Sequence, residues 1–388
     1  MKDIFIIGSK GIPARYGGFE TFVEKLTRGQ QSPEICYHVA CMEDTEREFV
    51  YNGAKCFSIK PLPIGPAKAV CYDLAAFCRC LKQIRREQMK NPVVYVLACR
   101  IGPFTGYLKR KLKRLGGTLY VNPDGHEFKR AKWNRFIRAY WRFSERLMVK
   151  HADQMICDSK NMEQYIRTEY QCYDPKTSFI AYGTDVKENC QATKAVKEWL
   201  QKHGLREDGY YLVVGRFVPE NNYETMIREF MASDTTCQLV LITNVEKNDF
   251  YRQLQEETRF DRDPRVKFVG TVYDENLLIQ IRCLARGYLH GHEVGGTNPS
   301  LLEALGTTEV NLLLDVGFNR EVGEEGALYW TKEQGSLRGL LHQVDEMNEQ
   351  DRQHLAKVAK ERMRSCYSWE FIVEQYEKLF LGTGEAQH

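Results

Sequence analysis

The sequence predicts an α/β protein built from two doubly wound domains, each around a mainly parallel sheet. Three observations carry this. Short apolar, β-branched runs alternate with stretches of helical spacing along most of the chain. The polar stretch "TDVKENCQATKAVKEWLQKHGLREDG", read as a linker plus a helix, interrupts the alternation, which restarts at "YYLVVG". The chain has 388 residues, room for two to three domains. The expected domains are 1–190 and 208–365, with 366–388 an amphipathic helix and tail outside both sheet patterns.

In the first half "DIFIIG" reads as a buried strand and "FETFVEKLTR" as a helix with Phe19, Phe22, Val23 and Leu26 on one face. "CYHVACM" and "KCFSIKPL" are the next strands, and "AVCYDLAAFCRCLKQIRRE" a helix with a basic end. "PVVYVLAC" is a strand. "TGYLKRKLKRLG" is a basic helix closed by Gly116. "GTLYVNPDG", "DQMICDS" and "KTSFIAYG" are strands, separated by the helices "NRFIRAYWRFSERLMVKHA" and "KNMEQYIRTEY". The second half repeats the scheme from "YYLVVGRFVPENN" to "GYLHGHEVGG" and "PSLLEALG".

Composition removes several function classes. No apolar run reaches the roughly 18 residues of a membrane span, and "MKDIFIIG" lacks the character of a secretory signal. Thirteen cysteines without a CxxC pair read as reduced thiols of a cytoplasmic protein. The net charge of +3 is modest, but basic residues dominate from Lys109 to Lys150.

Doubly wound domains bind ligands at the carboxyl ends of their strands, so two in tandem are expected to share a cleft. The loop "GSKGIPARYGGFE" lies at one such end, with Lys10 and Arg15 as cations and Gly17 and Gly18 opening a helix. A phosphate or sugar suits free N–H groups there, although a strand-to-helix turn alone also explains glycines. The dinucleotide fingerprint GxGxxG is missing, because two residues separate Gly8 from Gly11 and Pro13 follows. In the second domain Arg216 follows a strand and can take a diphosphate bidentately, or be a surface arginine. Asn298 has the place of an N-cap, with Pro299 at N1 and Gly295, Gly296 and Thr297 before it. Glu303, one turn inside that helix, can accept ribose hydroxyls or merely suit the dipole.

These residues resemble the GT-B fold retaining glycosyltransferases of family 4. The motif P-x-x-x-GG-x-E at Pro13 to Glu20, "GRFVPE" at Gly215 to Glu220 and the Gly-rich turn leading to Glu303 stand in that family's order. "GSKGIPARYGGFETFVEKL", "DGHEFKRAKW", "VGRFVPENNYETMIREF" and "GGTNPSLLEAL" are similar to a narrower branch, the bacterial polysaccharide β-1,4-rhamnosyltransferases. That resemblance implies a fold of two Rossmann-like domains facing a cleft, with a C-terminal helix crossing back. It implies dTDP-L-rhamnose as donor, a glucosyl- or N-acetylglucosaminyl-pyrophosphoryl-undecaprenol acceptor, and no cofactor. It puts Gly17 and Gly18 beside the donor phosphates or acceptor, Arg216 on the diphosphate and Glu303 on the ribose. Two positions depart from the pattern. Asn221 stands where the family has a lysine, and Gly295 where it has its first glutamate, leaving Glu293 the nearest carboxylate.

Such transfer needs a stabilised leaving group rather than a covalent nucleophile. Asp124 and His126 in "NPDGHEF", Asp158 in "ICDSK" and Tyr182 in "IAYGTD" are candidates to orient acceptor or leaving group. Asp158 can equally cap the next helix, and Tyr182 can pack at the hinge between domains. No metal site is expected: "DRD" at Asp261–Asp263 reads as a surface turn, and His290 and His292 lack a third ligand. Within "FKRAKWNRFIRAYWRFSERLMVK" basic residues interleave with Trp133, Phe136, Tyr140, Trp141 and Phe143. Residues 129–150 are therefore expected to meet an anionic membrane surface at its cytoplasmic face. A solvated amphipathic helix is the plainer alternative, and no nucleic-acid motif accompanies it. The other function classes are a nicotinamide oxidoreductase, a family 4 transferase using a UDP- or GDP-sugar, and a non-catalytic binding protein.

Overall fold

The apolar run at the amino end becomes β1 (Lys2–Ile7), a central strand in which Ile4 to Ile7 are fully buried. The computed structural model describes all residues except 15–16, 63–64, 126–127, 129–133, 189–190, 246–247, 295–296 and 384–388. The chain divides into two units, Met1–Gly183 with Trp369–His388, and Thr184–Ser368.

The first unit continues through α1 (Gly18–Arg28), β2 (Ile35–Met42), β3 (Glu48–Tyr51), β4 (Ala54–Ile59), α2 (Lys68–Glu87) and β5 (Val93–Leu97). It goes on with α3 (Gly102–Arg114), β6 (Thr118–Asn122), α4 (Arg135–His151), β7 (Gln154–Cys157), α5 (Lys160–Glu169) and β8 (Thr177–Phe179). The strands lie in the order β3-β4-β2-β1-β5-β6-β7-β8. Every pairing is parallel except that of β3 with β4. That edge hairpin is absent from the sequence reading. It turns on Asn52 (φ 49°) and Gly53 (φ 76°), the two left-handed residues of a tight hairpin.

The second unit opens with α6 (Lys194–His203), whose Val196 and Leu200 are buried in a core shared with the sheet. The stretch read as a linker therefore belongs in part to this domain. It then runs β9 (Tyr210–Val214), α7 (Tyr223–Met231), β10 (Gln238–Ile242), α8 (Asp249–Thr258), β11 (Val266–Gly270), α9 (Glu275–Cys283) and β12 (Gly287–His290). After these come α10 (Pro299–Leu305), β13 (Asn311–Leu314), α11 (Gly317–Gly323), β14 (Leu328–Trp330), α12 (Ser336–Glu346) and α13 (Glu349–Tyr367). All pairings are parallel, in the order β11-β10-β9-β12-β13-β14, the Rossmann arrangement. Tyr211 and Val213 of β9 face one core and Tyr210 and Leu212 the other, so the sheet is buried on both faces.

The last helix, α14 (Trp369–Leu381), belongs to the first unit. Its Glu377 carboxylate accepts the Gln31 and Ser32 backbone N–H groups at 2.9 and 2.8 Å, just past α1. Tyr376 packs on Phe22, with ring centroids 5.0 Å apart. This is the C-terminal crossing helix that the resemblance implies. Cys283 is disulfide-bonded, which corrects the expectation that all thiols are reduced.

Candidate active site

Each sheet has a switch point where chain order reverses, and doubly wound folds bind ligands beyond the strand ends there. In the first unit that point lies between β1 and β5, and in the second between β9 and β12.

At the first point the glycines of the opening loop serve packing. A Cβ on Gly8 would lie 2.2 Å from the Leu97 carbonyl oxygen, and one on Gly11 2.5 Å from Cys41 Sγ. Both also have φ above 90°, so glycine is required twice over. Glu20 is buried, and its Oε1 accepts the Lys10 backbone N–H at 2.7 Å. Gly17 lies against the same carboxylate: a Cβ there would sit 1.9 Å from Glu20 Oε2. Glu20 therefore ties the loop down from inside. Glu24, which the sequence reading missed, accepts the Ala14 N–H and the Tyr51 hydroxyl. Arg100, also missed, donates to the Gly8 carbonyl at 2.7 Å and faces the buried carboxylate of Asp73 at 3.3 Å. The Lys10 ammonium is exposed and makes no ion pair among the described residues. Gly17, the N-cap of α1, offers no side chain, so Gly18 opens the helix without a side-chain cap. Arg15 lies outside the described residues.

Across the same strand ends the unit gathers acids and phenols. Asp124 follows β6 with φ 59°, its N–H donating to Asn122 Oδ1 at 2.7 Å. Asn122 Nδ2 donates to the Tyr95 hydroxyl at 3.5 Å, which meets the Tyr376 hydroxyl at 3.2 Å. Asp158 is buried at the end of β7, and Ser159 rather than Asp158 caps α5, accepting the Met162 N–H at 3.1 Å. The aspartate is thus released from the capping role. Tyr182 is buried, and its hydroxyl titrates well above the ordinary phenol range. Burial is the main cause, followed by the negative charges of Asp158 and Asp124 and, more weakly, Glu20. The candidates Asp124, Asp158, Tyr182 and Glu20 therefore share one neighbourhood. His126 lies outside the described residues. A cavity of about 10 Å³, room for one water, is lined by Asp124, Cys99, Trp141 and Glu145 among others. Glu145 is held by the Tyr165 and Tyr170 hydroxyls at 2.7 and 2.6 Å, and burial raises its pKa.

In the second unit Gly215 and Arg216 leave β9, and the Arg216 side chain is exposed without a carboxylate partner among the described residues. Asn221 does not replace the missing lysine. Its Nδ2 donates to the Arg216 carbonyl at 2.7 Å and its Oδ1 faces His292 Nδ1 at 2.8 Å, so it laces the β9 loop to the β12 loop. Asn222 extends the lacing to Gly291 O at 2.8 Å and Glu293 Oε2 at 2.9 Å. Glu293 also pairs with Lys332, a cation that sequence reasoning missed. Asn298 caps α10 as expected, accepting the Ser300 N–H at 2.9 Å, and Pro299 opens the helix. That helix has only seven residues, and its cap already occupies one of the free N–H groups. Thr297 is buried beside the cap; Gly295 and Gly296 lie outside the described residues. Glu303 Oε2 pairs with Arg282 Nη2 at 2.6 Å, and Arg282 also reaches Ser300 Oγ at 3.1 Å.

Of the two metal-like motifs, "DRD" has Asp263 tied to Arg265, and "HGH" has His292 tied to Asn221. Asp263 accepts from Arg265 through both oxygens, which holds its carboxyl below the usual range. His290 is buried, and burial pushes its pKa well down. Outside the strand ends, α3 and α4 meet through small residues. The Gly102 N–H donates to Ser144 Oγ at 2.8 Å, and a Cβ on Gly102 would lie 2.2 Å from the Ser144 carbonyl oxygen. Among the described residues, eight large apolar side chains are exposed, and four of them sit on this pair: Phe104, Tyr107, Phe136 and Phe143. No described helix is long and apolar enough to cross a membrane. Of the expected membrane segment, 129–133 lie outside the described residues.

Two parallel-sheet domains with the last helix returned to the first define the GT-B fold of glycosyltransferases. Residues 1–185, just under half of the chain, match the family described as "Domain of unknown function (DUF1972)". No curated protein matches the chain in sequence. Solved structures similar to it include sucrose-phosphate synthase from Thermosynechococcus elongatus, at TM-score 0.76 and 17% identity over 98% of this chain and 99% of that one. HepE of Anabaena in complex with UDP and glucose matches at TM-score 0.71 and 15% identity, over 98% and 99%. The α,α-trehalose 6-phosphate synthase of Burkholderia multivorans matches at 0.72 and 12%, over 98% and 96%. At these identities the likeness is one of fold.

Proposed function

We propose that this chain is a retaining, metal-independent glycosyltransferase of the family 4 kind. It moves L-rhamnose from dTDP-L-rhamnose to a glucosyl- or N-acetylglucosaminyl-pyrophosphoryl-undecaprenol acceptor, forming a β-1,4 bond in cell-surface polysaccharide synthesis. The observation that carries this reading is Arg216. It is an exposed arginine without a carboxylate partner among the described residues, at the switch point of a Rossmann sheet, where a diphosphate would be bound. A guanidinium there stabilises the charge that develops on the leaving diphosphate. Glu303, held by Arg282 through one oxygen, keeps the other for ribose hydroxyls. In the first unit Asp124, Asp158 and Tyr182 serve the acceptor, while Lys10 and the opening of α1 supply positive potential.

The cytoplasmic face of the membrane is where a polyprenyl-linked acceptor would be met. Exposed Arg135, Arg142 and Lys150 on α4 and Lys111 on α3, interspersed with exposed aromatics, suit an anionic headgroup layer. Calorimetric titration with dTDP tests the donor assignment. Wild type should bind, and a folded Arg216→Ala variant should bind at least about 10-fold more weakly. Equal binding by both would remove Arg216 from the site.

A further inference from the structure

At the opposite end of the first sheet from the glycine loop, three side chains of different chemistry converge. Asp3 is the second residue of β1 and Cys36 the second of β2, and they are register partners in the parallel ladder. His38 lies two residues beyond Cys36, on the same face. One ligand atom from each residue lies within 4.8 Å of the other two. His38 Nε2 is 2.8 Å from Asp3 Oδ1. The imidazole is fully buried and stacked on Phe5, with ring centroids 4.3 Å apart. Its other nitrogen, Nδ1, faces Gln83 Nε2 at 3.4 Å. Asp3 and Cys36 sit nearer the surface, at 16% side-chain and 9% residue exposure, so a small ion can reach the cluster from outside.

We propose that Asp3, Cys36 and His38 form a Zn²⁺ site, with solvent as the fourth ligand. One thiolate, one imidazole and one carboxylate are a donor set that zinc accepts, and a hard cation such as Mg²⁺ does not favour sulfur. A tetrahedral zinc with ordinary bond lengths separates its ligand atoms by roughly 3.3–3.8 Å, so the cluster needs to open by about half an ångström along the His38–Asp3 contact. The ring is already oriented for this. Phe5 sets its plane, and Gln83, by presenting its amide oxygen, can accept a hydrogen bond from the Nδ1–H once Nε2 binds metal. The site lies at the amino ends of β1 and β2, away from the strand ends that carry the transfer chemistry. Zinc there clamps the first two strands together, and binding energy becomes folding stability.

The test uses the full chain, stripped with chelator and dialysed. Co²⁺ serves as a spectroscopic probe, because a thiolate ligand gives a charge-transfer band in the near ultraviolet, and Zn²⁺ then competes it away. Wild type should take up one equivalent, show the band and melt higher with Zn²⁺. Cys36→Ser should abolish the band. Asp3→Asn, which keeps a hydrogen-bonding oxygen for His38, should weaken binding by at least about 10-fold. A Cys78→Ser/Cys172→Ser variant, which removes two exposed thiols, should bind as wild type does. The proposal is overturned if wild type shows no band at one equivalent, or if Cys36→Ser retains it. It is overturned equally if the band disappears with Cys78 and Cys172.

Discussion

Arg282 and Glu303 form an ion pair of unequal members. Their atoms meet at 2.6 Å, but the arginine side chain is 2% exposed and the glutamate 40%. Removing the glutamate strands a buried guanidinium, whereas removing the arginine leaves a carboxylate that water still reaches.

Glu303→Ala should therefore cost about 1–3 kcal/mol of stability, and Arg282→Met distinctly less. Thermal melts of the two variants check the order. Activity at Glu303 is better tested with Glu303→Gln, which keeps an acceptor for Arg282. A near-native melt with transfer reduced roughly 10-fold or more is expected. Full transfer by that variant would contradict the ribose role.

If the charge of Arg216 acts on the leaving diphosphate, as proposed, Arg216→Ala should lower transfer by on the order of 10²-fold. Its melting temperature should barely move, since the guanidinium makes no ion pair among the described residues. Steady-state rates beside a thermal melt separate the two effects.

Transfer should persist in EDTA without added divalent cation. The "DRD" carboxylate most exposed to that suspicion, Asp263, is committed to Arg265. Complete loss that Mg²⁺ or Mn²⁺ restores would contradict metal-independent departure of the diphosphate. A lower melting temperature in EDTA, with activity retained in the cold, would instead reflect the Asp3–Cys36–His38 site.

His290 sets a pH dependence. Burial lowers its pKa well below 6.5, so the folded chain holds it neutral while the unfolded chain protonates it. The stability this contributes is present above pH 6.5 and is lost as the pH falls from there through the depressed folded value. His290→Phe removes that contribution. Between about pH 7.5 and about pH 5.5 the wild-type melting temperature should fall further than that of the variant. Parallel falls would show that His290 does not contribute.

Reversing Arg135, Arg138, Arg142 and Lys150 to glutamate should release the protein from anionic vesicles at physiological salt. Each basic residue near such a surface contributes about 1 kcal/mol. Buried Met148 and Val149 hold α4 to the core, so circular dichroism should show the variant folded. Sedimentation of a folded variant with the vesicles would leave α4 a solvated face.

Strands that lead to the two switch points were legible where they are buried on both faces and read as continuous apolar runs. β5, β9 and the part of β1 from Ile4 to Ile7 are of this kind. The hairpin of β3 escaped although Asn52-Gly53 is a strong turn signal, because "EFVY" is short, polar at one end and half exposed. β13 and β14 are also only four and three residues long, and the reading stopped short of them. Within the candidate site Arg216, Asn298 and Glu303 were singled out by motif. Arg282, Arg100, Glu24 and Lys332 did not, because each acts on a residue far away in sequence and no local spacing encodes that contact. Gly8 and Gly11 have a steric reason that no local spacing encodes: the backbone of β5 and the side chain of Cys41 fill the space beside them.

The central claim is that this chain transfers a sugar from a nucleotide. Its most direct test is mass spectrometry of a synthetic lipid-pyrophosphoryl glucose, and its N-acetylglucosamine counterpart, incubated with a panel of sugar nucleotides. The account predicts that one deoxyhexosyl residue is added from dTDP-L-rhamnose to at least one of the two acceptors, and that Arg216→Ala suppresses it. No mass gain on either acceptor from any nucleotide sugar, with the protein folded, would contradict it.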